Sequence, residues 1–307
     1  MKWKRGTRSR DVIDIRGASG GSSAGGRSSL PIPAGLAGAG GGVGLIVVLV
    51  IVGINMFGGG GGGDGGFSLP SAFGPGAGPP GVGDGGGIPP AEDPQADLKD
   101  FSSYVFTDSQ DVWEGILAED GSGYERAELV LYSGAVSTGG CGDATSAVGP
   151  FYCPADERVY LDLTFYDDMR RQLGASGDFA WAYVIAHEMG HHIQRITGTS
   201  GEVDKLSRDD PDRANELSVR QELQADCYSG VWASTVFAEG DLEPGDLDEA
   251  FGAAEAVGDD RLQEQAGGSV NPDSFTHGTS EQRRAWFERG YESGEPADCD
   301  TFSVEDV

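Results

Sequence analysis

Positive charge is scarce in this sequence: 21 Lys and Arg stand against 50 Asp and Glu, a formal net charge of -29 over 307 residues. That excludes nucleic-acid binding by the bulk of the chain, whose field repels phosphates. After residue 57 the only lysines are Lys99 and Lys205. Histidine is scarcer still, with four in the chain, so any cluster of them is informative. The four cysteines, Cys141, Cys153, Cys227 and Cys299, form no C-x-x-C pair, which excludes a zinc ribbon. No internal repeat is present, which argues against a solenoid.

Charge of one sign is also unevenly placed. Residues 1–27 carry Lys2, Lys4, Arg5, Arg8, Arg10, Arg16 and Arg27 against Asp11 and Asp14 alone. Residues 1–31, basic and Ser/Gly-rich, read as a disordered tail. Ile32 to Phe57 then contains no charged residue and can cross a hydrocarbon core of roughly 30 Å as one helix. A cleaved signal peptide fits less well, because no small-x-small site follows the apolar run. The positive-inside rule places the N-terminus in the cytoplasm and everything after Phe57 outside, which predicts a single-pass protein of the cell membrane. Residues 58–96 are a Gly/Pro-rich tether. Residues 97–307 are long enough for one substantial core.

Within that domain the pattern predicts an α+β fold, mostly helical with a small sheet. Ser109–Glu119 reads as helix, Leu129–Tyr132 and Val159–Leu163 as strands, Gly134–Gly149 as loop and Pro150–Pro154 as a stiff turn. Phe165–Leu173 reads as a short helix ended by Gly174. Asp178 reads as the cap of a helix that closes before Gly198. Asp210-Pro211 opens a long helix to about Ala238. Leu247–Val257, Arg261–Gln265 and Ser280–Arg289 follow as helices. Four cysteines in an exported domain suggest two disulfides in one of three pairings. Cys141–Cys153 is favoured, since both flank a Gly/Pro-rich loop, with Cys227–Cys299 by elimination. Free buried thiols are the alternative.

The chemistry concentrates in Val184–Ile193, which holds His187-Glu188-Met189-Gly190-His191. On a helix the two histidines share a face, so both imidazoles can reach one Zn²⁺, with Glu188 as the carboxylate base for a water that the ion activates. A catalytic zinc needs a third protein ligand, and the next long helix offers Glu222 with Asp226 one turn on. Glu222 is the candidate ligand, and Asp226 the acceptor that orients His187. His192 points about 100° away from His191 and cannot easily join them. His277 is either an oxyanion donor or a structural histidine at a loop-to-helix junction. Arg283 either holds a carboxylate or coats its helix, and the second reading is preferred. Asp162, Asp167 and Asp168 read as surface or cap residues. The strand Val159–Leu163 is a candidate cleft edge for an extended peptide.

His187-Glu188-x-x-His191 followed by Glu222-x-x-x-Asp226 resembles the gluzincin pattern of zinc peptidases. It is similar to the membrane-associated CAAX-prenyl-protease and heat-shock-protease group, whose T-H-x-x-x-x-x-R segment is matched by Thr276-His277 and Arg283. Over most of its length the chain more closely resembles a bacterial family of neutral zinc metallopeptidases, through G-P-F-Y-C-P-A-D, F-Y-D-D-M, V-I-A-H-E-M-G-H-H, E-L-Q-A-D-C and D-S-F-T-H-G-T-S. The resemblance implies a zincin-like fold and a membrane-anchored endopeptidase with Zn²⁺ as cofactor, and it brings no substrate beyond a peptide or protein. The alternative is a catalytically silent zinc-containing scaffold of the envelope. Three protein ligands plus water favour catalysis, four in a closed tetrahedron favour structure.

Overall fold

The computed structural model describes residues 1–6, 9–17, 88–89, 92–119 and 121–307. The expected membrane helix, residues 32–57, lies outside the described residues, as does most of the expected tether. Among the described residues no helix is long and apolar enough to cross a membrane.

The fold is mostly helical, with a four-stranded sheet and a two-stranded hairpin. The sheet runs in the order β1 (Val12–Asp14), β2 (Glu128–Tyr132), β6 (Arg158–Asp162), β5 (Phe151–Cys153). The first three are parallel, and β5 is antiparallel to β6. Successive side chains alternate between faces. Leu129, Leu131, Val159 and Leu161 therefore enter the main helical core, while Val130, Tyr132, Phe151 and Tyr160 form a smaller cluster on the other face. The hairpin of β3 (Ala135–Ser137) and β4 (Asp143–Thr145) lies in the expected loop.

Three expectations are corrected here. Residues 1–31 are not a disordered tail throughout, because residues 12–14 pair with β2 in register Val12↔Leu129. Arg16 is 1% exposed and is bound by Asp14 at 2.8 Å and Asp93 at 2.7 Å, so its charge is satisfied inside the fold rather than in water. The Met1 ammonium lies 3.0 Å from Asp178 and 3.2 Å from Asp246. The domain therefore draws on residues 1–6 and 9–17 as well as on 97–119 and 121–307. The second correction concerns the cleft edge: β6 is paired on both sides, and the edge strand beside the motif helix is β5. Thirdly, Asp162 is buried, accepting from Gly134 N at 2.9 Å and Thr164 N at 2.9 Å and so tying two loops to the sheet. Burial opposes its charge, yet the hydrogen bonds from Ser146, Gly134 and Thr164 hold its pKa below the ordinary value.

The helices carry the rest. In order they are α1 (Ala96–Glu119), α2 (Phe165–Asp168), α3 (Asp178–Ile196), α4 (Thr199–Asp209), α5 (Ala214–Ala238), α6 (Asp246–Ala256), α7 (Asp259–Gln265) and α8 (Ser280–Ser293). The motif helix α3 is the hub, packed on α1, α5, α6 and β5. Its cap is Gly177, with Asp178 the first helical residue. Thr279 makes a capping box at α8 with Gln282, two orphan donors satisfied reciprocally. Both favoured disulfides are present. Cys141–Cys153 staples the hairpin to β5, and Cys227–Cys299 ties the C-terminal segment to α5.

Candidate metal centre

Gly190 sets how closely α3 and α5 approach. A Cβ there would meet the Ala225 carbonyl oxygen at 2.9 Å and its Cα at 3.0 Å. With no side chain in the way, the two helices close and their polar faces meet. His187 Nε2 lies 3.1 Å from Glu222 Oε2, and His191 Nε2 lies 3.4 Å from Glu222 Oε1. One donor atom from each of the three residues falls within 4.8 Å of the others. Two imidazoles and one carboxylate at that spacing suit a zinc ion, which takes N and O ligands at about 2.0–2.2 Å. The three residues expected as ligands are therefore brought together.

The hydrogen bonds behind them decide which nitrogen faces the metal position. Asp226 Oδ1 lies 2.8 Å from His187 Nδ1. A carboxylate only accepts, so Nδ1 carries a proton, and Nε2, which faces Glu222, is the nitrogen left to bind a metal ion. This is the role expected of Asp226, and it has further partners. Tyr183 Oη donates to Oδ1 at 2.6 Å, and Arg283 donates from Nε to Oδ2 at 2.8 Å. Arg283 is thus buried against a carboxylate, contrary to the preferred reading that it coats α8. Burial raises the cost of charge on Asp226, but Arg283 and His187 outweigh it and hold its pKa below the ordinary value. Burial also opposes a cationic His187. The Asp226 and Glu222 carboxylates overcome that and push its pKa up to about 10. Such a pull on a proton is equally a pull on a divalent cation.

Glu188 is 4% exposed and lines a pocket of about 590 Å³, open mouth included, beside the two imidazoles. Burial raises its pKa above the ordinary carboxylate range, and the nearby histidines and the Tyr152 amide temper the rise. His277 lines the same pocket. Its Nδ1 lies 3.2 Å from Asp259 Oδ1, while Asp259 Oδ2 accepts from the amides of Thr276 and His277 at 2.7 Å each. Asp259 carried no sequence signal, since it pairs across 18 residues with no periodic relation to the histidine. His192 stays out of the centre, as expected, between Tyr152 Oη at 3.1 Å and the Glu125 carbonyl at 2.6 Å. A second acidic group, Asp178, Asp246 and Glu249, is already engaged by the Met1 ammonium and the Phe179 amide.

A helix-borne histidine pair and a carboxylate from the neighbouring helix form a group that could hold a metal ion, with a buried glutamate on the same pocket. The chain belongs to the family described as "Putative neutral zinc metallopeptidase", whose model matches residues 1–302. It is 52% identical over 216 residues to the uncharacterized protein YpfJ of Escherichia coli K12, covering 70% of this chain and 74% of that one. It is 47% identical over 207 residues to the uncharacterized protein Mb2605 of Mycobacterium bovis, covering 64% of this chain and 68% of that one. No solved structure matches the chain.

Proposed function

We propose that the protein is a zinc-dependent endopeptidase whose ligands are His187, His191 and Glu222 and whose general base is Glu188. The observation that carries this is the convergence of those three side chains next to a buried glutamate on one pocket wall. Zinc, when bound, supplies Lewis acidity toward the scissile carbonyl and brings the pKa of water near neutrality. Glu188 takes the proton of the attacking water and passes it to the leaving amine. Its raised pKa suits both halves of that task. His277 has its Nδ1 committed to Asp259, so Nε2 is the nitrogen left for the oxyanion, to which it donates when protonated.

The substrate is a peptide or protein bound extended along β5, the edge strand that supplies the Tyr152 amide to Glu188. A hydrophobic side chain of that substrate fills the pocket, whose apolar wall is Phe165, Leu173, Val184, Val257 and Leu262. The apolar run 32–57 attaches the protein to a bilayer, with the disulfide-bonded domain on the oxidising side.

The test is metal analysis and peptide-library cleavage on two variants of the full chain. Glu188→Gln is expected to keep stoichiometric zinc and lose hydrolysis by a factor of roughly 10² or more, and Glu222→Ala to lose most of its zinc. Equal zinc loss in both would remove the separate base and ligand assignments. Zinc without chelator-sensitive cleavage in the unmodified protein would favour the scaffold.

A further inference from the structure

The two histidines of the centre are oriented by different means. His187 leans on the Asp226 carboxylate. Among the described residues, His191 Nδ1 bonds an amide rather than a charged group, lying 2.9 Å from Gln194 Oε1. Gln194 Nε2 donates to the Gln221 carbonyl at 2.7 Å and to Gln224 Oε1 at 3.1 Å. Gln224 Nε2 in turn donates to the Cys299 carbonyl at 3.1 Å. Both glutamines are buried, at 0% and 5% exposure, so water does not substitute for these bonds.

The polarity of this chain is fixed from its far end. A backbone carbonyl only accepts, so Gln224 must turn its NH₂ to Cys299 and its oxygen to Gln194. Gln194 then faces two acceptors, Gln221 O and Gln224 Oε1, and must give both of them its NH₂ protons. Only its oxygen is left for His191, whose Nδ1 must therefore be the protonated nitrogen. That leaves Nε2, the atom facing Glu222, as the nitrogen available to a metal ion. Cys299 is itself held to α5 by its bond to Cys227, one residue past Asp226.

We infer that Gln194 and Gln224 are positioning residues for the second zinc ligand: a neutral amide relay, anchored on the disulfide-held Cys299 carbonyl, that fixes the tautomer and ring plane of His191. This rests on the reading of His187, His191 and Glu222 as zinc ligands. The relay ties retention of the metal to the seating of the C-terminal segment, and hence to the Cys227–Cys299 bond.

The experiment is zinc competition against a chromogenic chelator, on the full chain, for the unmodified protein and for Gln194→Met, Gln224→Met and Gln110→Met. Methionine matches glutamine in length and offers Nδ1–H only a weak sulfur acceptor. Gln110 is a buried glutamine of α1 outside the relay, so its variant reports general loss of stability. Zinc affinity is expected to fall roughly 10–100-fold in Gln194→Met, less in Gln224→Met, and to hold in Gln110→Met. The Cys227→Ser, Cys299→Ser double variant is expected to fall with Gln224→Met. Unchanged affinity in Gln194→Met, or an equal loss in Gln110→Met, overturns the relay. A second measurement needs no variant. ¹⁵N-resolved spectra of the zinc-loaded protein should show a slowly exchanging His191 Nδ1–H, and ligation through Nδ1 instead would overturn the assignment. If the unmodified protein takes up no stoichiometric zinc, the ligand reading itself falls, which is distinguishable from a relay that fails while zinc still binds.

Discussion

Two aspartates, one fully buried and one half-buried, show how environment divides one residue type into opposite roles. Asp226, fully buried, accepts from Tyr183, His187 and Arg283, and it stays charged because a guanidinium and an imidazole face it. Asp108 on α1 has one such bond, from Trp232 Nε1 at 2.8 Å. Burial, with Glu239, Asp111 and Asp241 nearby, pushes its pKa up to about 6 from the ordinary 3.8. In that interval the unfolded chain has released its proton while the folded chain keeps it, so stability falls as pH rises toward 6. The loss above that pH is at most ~3 kcal/mol, at about 1.36 kcal/mol per pH unit. Asp108→Asn keeps an acceptor for Trp232 and removes the half-buried charge. Urea unfolding is expected to find it more stable than the unmodified protein by ~1–3 kcal/mol at pH about 7.5 and nearly equal at pH about 4. A gain of the same size at both pH values would assign the effect to packing instead.

At the scale of elements, what is local along the chain was legible in the sequence. His187 and His191 on α3, and Glu222 and Asp226 on α5, each stand four apart, so a helical reading put each pair on one face. The helix boundaries near Gly174 and Gly198 follow from their left-handed backbone, with φ of 71° and 90°, whereas α8 runs past the expected Arg289 to Ser293 and ends at Gly294, φ 66°. The three-residue strands β1 and β5 are too short to show a period of two, which is why one read as tail and the other as turn. Arg283 misled because α8 is polar along most of its length, while the partner that buries it, Asp226, lies 57 residues away. The approach of α3 to α5 at Gly190 was invisible for the same reason, and it can be tested. Gly190→Ala is expected to cost ~1–3 kcal/mol by overpacking, and to lower zinc content by displacing α5, which carries Glu222. Gly201→Ala, at a position on α4 with open space around it, should be neutral or slightly stabilising. Thermal melts and zinc per chain measured on both variants decide this. A Gly190→Ala protein with full zinc would show that the close approach is not what brings Glu222 to the histidines.

Across the whole molecule the open matter is which side of a membrane each part occupies. The charge of residues 1–27 argues that the N-terminus stays in the cytoplasm. The two disulfides argue that the domain lies in an oxidising space. A single crossing by residues 32–57 would satisfy both. Yet residues 1–6 and 9–17 pack on the domain, through the β1–β2 pairing, the Arg16–Asp93 bond at 2.7 Å and the Met1 ammonium at 3.0 Å from Asp178. One chain cannot both dock its N-terminal segment on the domain and hold the two on opposite faces of a bilayer. A buried ion pair such as Arg16 with Asp93 is also costly to part, at ~3–5 kcal/mol when one partner is left alone. The packing therefore predicts that the segment and the domain lie on one side, with the apolar run attaching the protein without separating its flanks. Arg10 and Lys205 are both exposed. Single variants Arg10→Cys and Lys205→Cys, treated in intact cells with a membrane-impermeant maleimide, should label alike. Labelling at position 205 with protection at position 10 would restore the single crossing, and would mean that β1 leaves the sheet in the membrane-attached protein.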